Sequence, residues 1–177
     1  MMDLLQTTFF HGSERNDLKE LNHDRSEPSN PFGQAIYLSA MESTARCYAR
    51  SQGTIYHVRL NGNAELRIDL DASFHQQTMP ARKVIREIAI QVDPNYSPLT
   101  SNLPIQTLIG GKYPHDRPLM TERLLDAGIW LIYGTLGTDQ NSGPRDDGVQ
   151  YAVLHPDHLK VAGTKPLRDE IATRHMG

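Results

Sequence analysis

Apolar, β-branched and aromatic segments of strand length recur along the 177-residue chain, and residues that favour turns separate them. The clearest segment is Val149–Leu154, in which the odd-numbered side chains share one face of an extended strand and the even-numbered ones share the other. Elsewhere Met41, Ala45 and Tyr48 recur at the spacing of one helical face. The chain must therefore fold from short strands and short helices together.

Hydrophobic periodicity and turn signals predict the individual elements. The predicted strands are Thr7–His11, Ala35–Leu38, Thr54–Leu60, Ala64–Leu70, Ile129–Tyr133 and Val149–Leu154. The predicted helices are Arg15–Leu21, Glu42–Arg50, Ala81–Gln91 and Leu119–Asp126, the last with Gly128 as its C-terminal cap. The turn at residues 61–63, Asn-Gly-Asn, predicts that the third and fourth strands pair as a hairpin. The predicted loops are 26–33 and 134–148, and 92–118 is predicted to hold at most a short helix around Ile105.

Length and composition limit the class of protein. A chain of 177 residues with 38% hydrophobic and 22% charged residues is expected to form one domain, residues 1–177, with a core of about 6–163 and a C-terminal tail of 164–177. The net charge of −3 makes nucleic acid an unlikely generic partner. No stretch reaches membrane-spanning length, and the N-terminal residues lack a signal-peptide pattern. We expect a cytoplasmic protein that contacts no membrane, and delivery into a host or target cell is compatible with this composition.

Metal and disulfide chemistry are not expected. Cys47 is the one cysteine of the chain, so it has no partner for an internal disulfide and no second thiol for zinc. His155 and His158 are three residues apart, but Pro156 lies between them and no HExxH motif accompanies them. We therefore expect no metal cofactor.

Two tyrosines eleven residues apart, Tyr37 and Tyr48, bracket the predicted helix Glu42–Arg50, and the turn His11-Gly12-Ser13 precedes them. An aromatic ring at a strand end and a second ring on the next helix can hold one flat heterocycle between them. The nicotinamide of NAD is such a heterocycle.

Three segments in this order resemble the signature segments of the ADP-ribosyltransferase fold. They are FFHGS, FGQAIYLSAMESTARCYA and VQYAVLHPDHLKV, which cover about a third of the chain, and LLDAGIWLIYG is similar to the helix and strand before the last motif. The likeness is to the His-Tyr-Glu branch, with poly(ADP-ribose) polymerase catalytic domains, diphtheria-type toxins and small bacterial or phage transferases. It implies a single α+β domain built on a split, mostly antiparallel β-sheet with flanking helices, and NAD as co-substrate.

The resemblance also implies roles for residues of the first segments. His11 matches the histidine that holds a ribose hydroxyl of NAD, and Gly12 matches the residue whose backbone binds the nicotinamide carboxamide. Ser13 is expected to add a hydrogen bond on the adenosine side. Tyr37 and Tyr48 match the two stacking tyrosines. A neutral imidazole suits the first role, because it offers a donor and an acceptor without adding charge beside the cationic pyridinium.

Two positions depart from the family pattern. The serine that often precedes the second tyrosine by three residues is Ala45 here, and Ser43 is near that place without being aligned with it. Gln150 occupies the place of the catalytic glutamate, so it keeps a hydrogen-bond acceptor and loses the charge and the basicity. Asp146 or Asp147 in the adjoining loop is a possible source of a carboxylate.

The expected function is mono-ADP-ribosylation, in which ADP-ribose passes from NAD to an unidentified macromolecular or small-molecule acceptor and nicotinamide is released. His11, Tyr37 and Gln150 are the expected catalytic residues, whereas Gly12, Ser13 and Tyr48 bind NAD. Two alternatives stay open at this point. One is a catalytically silent module that binds NAD or ADP-ribose, and the other is an NAD glycohydrolase that transfers to water.

Overall fold

The computed structural model describes residues 3–16, 18, 20–22, 34–92, 105, 117–135 and 149–167. Its strands are β1 (Thr8–Ser13), β2 (Ile36–Leu38), β3 (Thr54–Leu60), β4 (Arg67–Asp69), β5 (Leu131–Thr135), β6 (Val149–Val153) and β7 (Leu159–Pro166). Its α-helices are α1 (Glu42–Ala49), α2 (Met79–Val92) and α3 (Arg117–Asp126). Short 3-10 turns lie at Phe74–Gln76 and Pro156–His158. The predicted loop 26–33 and most of the stretches 92–118 and 134–148 lie outside the described residues.

Two sheets and a few helices give the described part of the chain an α+β architecture. Sheet A has the strand order β1-β3-β7 and is antiparallel throughout. Sheet B has the order β2-β6-β5-β4, in which the β4–β5 pair is parallel and the other pairs are antiparallel. The helices in the described ranges include none that is long and apolar enough to cross a membrane.

The alternation of strand residues divides the apolar side chains among three packed clusters. An inner cluster lies between the sheets and includes Phe9, Tyr56, Leu131 and Tyr151. A second cluster covers the other face of sheet B and contains residues of α2 and α3. A third, smaller cluster lies on the outer face of sheet A, under α1. Because β6 contributes its odd residues to the inner cluster and its even residues to the second, the predicted alternation of Val149–Leu154 is confirmed.

The predicted hairpin of Thr54–Leu60 with Ala64–Leu70 is wrong. Strand β3 pairs with β1 and β7, whereas the short strand β4 lies in sheet B beside β5. Buried Trp130 explains the crossing, because its indole N–H donates to Asn63 O and a Cβ on Gly62 would come within 2.5 Å of its ring. The Asn-Gly-Asn turn therefore leads the chain around a large side chain and across to the other sheet.

The predicted helix Arg15–Leu21 is also absent from the described residues of that stretch. The chain there follows tertiary hydrogen bonds instead. The Tyr56 hydroxyl donates to Arg15 O and accepts from Leu18 N–H, and the Thr54 hydroxyl donates to Asn16 Oδ1. Side chains of β3 thus bind backbone and side-chain groups of this stretch.

The helices predicted over Glu42–Arg50, Ala81–Gln91 and Leu119–Asp126 are confirmed, and no end differs from the prediction by more than two residues. Gly128 has φ +79° and its N–H donates to Leu125 O, which is the C-terminal cap expected after α3. Strand β7 continues to Pro166 and Leu167 is buried, so ordered structure extends beyond the predicted core limit of residue 163.

Candidate functional site

The edges of the two sheets meet at one point. Phe10 of β1 and Ser39, directly after β2, exchange two backbone hydrogen bonds of 2.8 and 2.9 Å. In the described residues this is the single bridge between the two strands. On one side of it, therefore, the edge of β1 beyond Phe10 and the edge of β2 before Ser39 face each other without pairing.

His11 spans this junction. Its Nδ1 lies 2.9 Å from the backbone oxygen of Tyr37, and since a carbonyl only accepts hydrogen bonds, Nδ1 carries the proton. Burial lowers the pKa of the imidazole below its ordinary value, and the hydrogen bond to Tyr37 acts in the opposite direction with a smaller effect. The ring is thus neutral at pH 7 with Nε2 as an acceptor, and no described residue donates to Nε2. Such a ring can accept a hydrogen bond from a hydroxyl group.

Gly12 is the point at which α1 packs on β1. An added Cβ would lie 1.8 Å from Ala45 O and 2.9 Å from Ala49 N, so only glycine allows the helix to approach this closely. The backbone N–H and C=O groups of Gly12 face the junction. Alternate residues of a strand direct these groups to the same edge, and Phe10 directs its N–H and C=O towards Ser39. The N–H and C=O of Gly12 therefore point to that edge, where the described residues supply no backbone partner. Gly12 therefore presents a donor and an acceptor at the junction.

Tyr37 and Gln150 share a face of sheet B. Tyr37 pairs with Ala152 and packs against the same cluster as Ala152, and Gln150 lies two residues from Ala152 along β6. Diagonal neighbours of this kind are separated by about 7–8 Å. Continuing the β2–β6 register by one residue sets Ser39 opposite Gln150, so Gln150 lies beside the bridge that joins the sheets.

Ser13 and Tyr48 are less closely tied to the junction. The Ser13 hydroxyl accepts a hydrogen bond from Arg15 N–H, which gives it a role in the turn after β1. Tyr48 follows Cys47 on α1 and is 50% exposed, whereas Ala45, predicted to share its helical face, is buried against β1. The Tyr48 ring therefore lies at the solvent boundary of the helix.

A buried hydroxyl that no sequence motif indicated lies next to Ala45. Thr44 is buried, and its Oγ1 has no hydrogen-bond partner among the described residues, although a helical threonine commonly bonds to the carbonyl four residues earlier. Ser43, the hydroxyl considered from the sequence, is exposed. Thr44 is one helical turn before Tyr48, so the two side chains are neighbours on α1. In sequence alone, a threonine with a partner and one without a partner look the same.

Tyrosines of sheet B lie behind Gln150, on the inner face. The rings of Tyr133 and Tyr151 stack with centroids 5.6 Å apart. Burial, and then the negative charge of Asp69, raises the pKa of Tyr133 to about 12. Tyr133 is therefore a neutral phenol at physiological pH and provides no anion at the junction.

The carboxylates predicted from the loop, Asp146 and Asp147, lie outside the described residues. Within the described ranges, no group of three or more His, Cys, Asp and Glu side chains could hold a metal ion. No family model, no curated protein and no solved structure matches this chain. The assignment of function therefore depends on the residues themselves.

Proposed function

We propose that the protein is an NAD-dependent mono-ADP-ribosyltransferase and that its two sheets form the split sheet of the ADP-ribosyltransferase fold. One observation carries the proposal. His11 of β1, Tyr37 of β2 and Gln150 of β6 are far apart in sequence, yet they lie around the one bridge that joins the two sheets' edges in the described part of the chain. They occupy the places of the histidine, the tyrosine and the glutamate after which the branch that the chain resembles is named.

The NAD-binding roles follow from the chemistry of each group. His11 Nε2 accepts a hydrogen bond from a ribose hydroxyl, and its neutral state adds no charge beside the cationic pyridinium. The backbone N–H and C=O of Gly12 match the acceptor and donor of a carboxamide. The Thr44 hydroxyl, next to Ala45 in sequence, buried and without a partner among the described residues, is the proposed substitute for the family serine that is absent at Ala45.

Two aromatic rings complete the nicotinamide site. Tyr37 is half-buried against the cluster of sheet B, so its position is set by packing. Tyr48 is 50% exposed, and stacking on a flat ligand would remove part of that ring from water. Ser13 lies farther along β1, on the side proposed for the adenosine.

Gln150 orients the nicotinamide ribose. Its amide oxygen accepts a hydrogen bond from a ribose hydroxyl. Because the side chain carries no charge, we do not expect the protein to synthesise long polymers. We therefore propose a single transfer per acceptor. The acceptor is a macromolecule or small molecule whose identity depends on groups outside the three motifs.

Nicotinamide release from NAD tests this function. The wild-type protein should release nicotinamide and label an acceptor in a host lysate that is supplied with isotopically labelled NAD. The double variant Tyr37→Ala, Gln150→Ala should lose at least about 100-fold in rate, because it removes one stacking ring and the group that orients the ribose. Lys83→Ala, on the exposed face of α2, should keep the wild-type rate. Robust transfer by the double variant would contradict the assignment.

One observation favours a second function, a binding module that holds NAD or ADP-ribose without turnover. That observation is the neutral side chain at Gln150. Such a module would show a higher melting temperature in NAD and no nicotinamide release. An NAD glycohydrolase, in contrast, would release nicotinamide and leave every macromolecule unlabelled.

A further inference from the structure

Gln150 has an unusual neighbour on β5. Its cross-strand partner is Gly134, and paired residues in an antiparallel sheet direct their side chains to the same face. Gly134 has φ +155°, and a Cβ built there would lie 2.8 Å from Leu70 Cβ and 3.4 Å from Asp71 Cγ. The carboxyl carbon of Asp71 thus lies within van der Waals contact of the position that a Cβ of residue 134 would take, and that position is the cross-strand neighbour of the Gln150 side chain on the same face.

Hydrogen bonds to one oxygen of the Asp71 carboxylate fix its position. Oδ2 accepts from the backbone N–H of Thr135 at 2.8 Å and from the Thr135 hydroxyl at 2.9 Å. Oδ1 accepts no hydrogen bond from the described residues, and the Asp71 residue is exposed. Asp69, two residues earlier, differs because its Oδ1 accepts from the N–H groups of Asp71 and Ala72. Asp71 thus combines an anchored position with an available oxygen.

We propose that Asp71 supplies the carboxylate that Gln150 lacks, and that it acts on the ribose of NAD or on the incoming acceptor. This inference rests on the proposed function. The bond between nicotinamide N1 and ribose C1′ breaks, and its electron pair leaves with nicotinamide. The incoming hydroxyl, amine or water forms the new bond to C1′ and transfers its proton to Asp71 Oδ1.

Gln150 and Asp71 have different proposed roles, and the difference follows from their chemistry. The positive charge that grows on the ribose needs a nearby anion, which an amide does not provide. The orientation of a ribose hydroxyl needs only an acceptor in a fixed position, which an amide does provide. Gln150 and Asp71 together therefore offer what one glutamate offers in the family.

A double-mutant cycle between Asp71 and Gln150 tests the proposal, with kcat for nicotinamide release and the dissociation constant for NAD measured separately. Asp71→Asn should lower kcat by about 100-fold and leave the dissociation constant within about twofold. Adding Gln150→Glu to that variant should restore kcat by tenfold or more, on the order of the effect of one carboxylate. A purely structural role of Asp71 in holding Thr135 would give no such rescue.

Two controls separate charge from structure. Asp157→Asn removes an exposed carboxylate from the turn before β7 and should leave kcat unchanged. Thr135→Val removes one of the two hydrogen bonds to Asp71 and keeps the carboxylate, so kcat should fall by less than about tenfold.

Gln150→Glu alone carries the test if Asp71→Asn folds poorly. With Asp71 present, a second carboxylate should change kcat by less than about threefold. A gain of tenfold or more would overturn the role of Asp71, as would a wild-type kcat in well-folded Asp71→Asn. Either result leaves the proposed function intact, whereas absence of nicotinamide release from the wild-type protein would overturn both.

Discussion

The two sheets contribute to the proposed site by different means. Sheet A contributes backbone groups and a neutral ring, at Gly12 and His11, and α1 packs directly on that backbone. Sheet B contributes the polar side chain of Gln150, and the turn after β4 contributes the charged side chain of Asp71. Each half contains a glycine that another segment covers, Gly12 under α1 and Gly134 under Leu70 and Asp71. In the proposed site, sheet A supplies groups that bind NAD, whereas sheet B supplies one binding ring, Tyr37, and the side chain of Gln150 that acts on the ribose.

The largest expected effect is on the sheet A side. Gly12→Ala would bring a Cβ within 1.8 Å of Ala45 O, and both groups belong to backbones that cannot rotate away. We expect a loss of about 3 kcal/mol or more in the free energy of unfolding, measured by urea denaturation. Gly163→Ala is the matched control on β7, since its Cβ would meet nothing within 4 Å. Equal stability of the two variants would mean that α1 does not rest on Gly12.

A smaller effect is expected on the sheet B side. Gly134→Ala meets a side-chain carbon, Leu70 Cβ at 2.8 Å, and imposes a Cβ on a backbone with φ +155°. We expect a loss of about 1–3 kcal/mol, because a contact of 2.8 Å is a milder overlap than the 1.8 Å at Gly12 and a smaller shift of the chain relieves it. Displacement of Asp71 should also lower kcat for nicotinamide release, with the dissociation constant for NAD nearly unchanged. A variant that loses NAD binding and keeps kcat would contradict the proposed difference between the two sheets.

The smallest effect is the pH dependence of stability at His11. Because burial lowers the pKa of His11 in the folded state, the unfolded chain takes up a proton first as the pH falls. The contribution of neutral His11 to stability is complete above the unfolded pKa of about 6.5 and decreases as the pH falls towards the folded pKa.

His11→Gln isolates that contribution. Glutamine does not titrate, and the other histidines are common to both proteins. Between pH 7.5 and 5.5 the free energy of unfolding should fall less steeply in the variant than in the wild-type protein, by a difference smaller than either glycine effect. Identical slopes would show that the imidazole is not held neutral by burial.

Local signals in the sequence were sufficient for several elements. The helical spacing around Ala45 predicted α1, Gly128 predicted the end of α3, and alternation predicted the two faces of β6. Each of these depends on neighbours within a few residues. The sequence also indicated His11 and Gln150 as candidate site residues, because they occur in the same order as the motifs of the family that the chain resembles.

Other features depended on contacts between distant segments. The turn around Gly62 has the composition of a hairpin, but Trp130 occupies its inner side and β4 pairs with β5. A turn signal specifies a change of direction and not the partner of the next strand. Asp71 gave no sequence signal either, because its relation to Gln150 arises from a pairing of Gly134 with Gln150 across the sheet.

The sequence by itself determined which residues can alternate, cap and carry chemistry, since those properties come from side-chain type and near neighbours. Only the tertiary structure decided that the edges of β1 and β2 meet at Phe10 and Ser39, and that His11 is neutral with its proton on Nδ1. The physical reason is that the choice among strand edges, and the degree of burial that shifts a pKa, depend on all the segments that pack together.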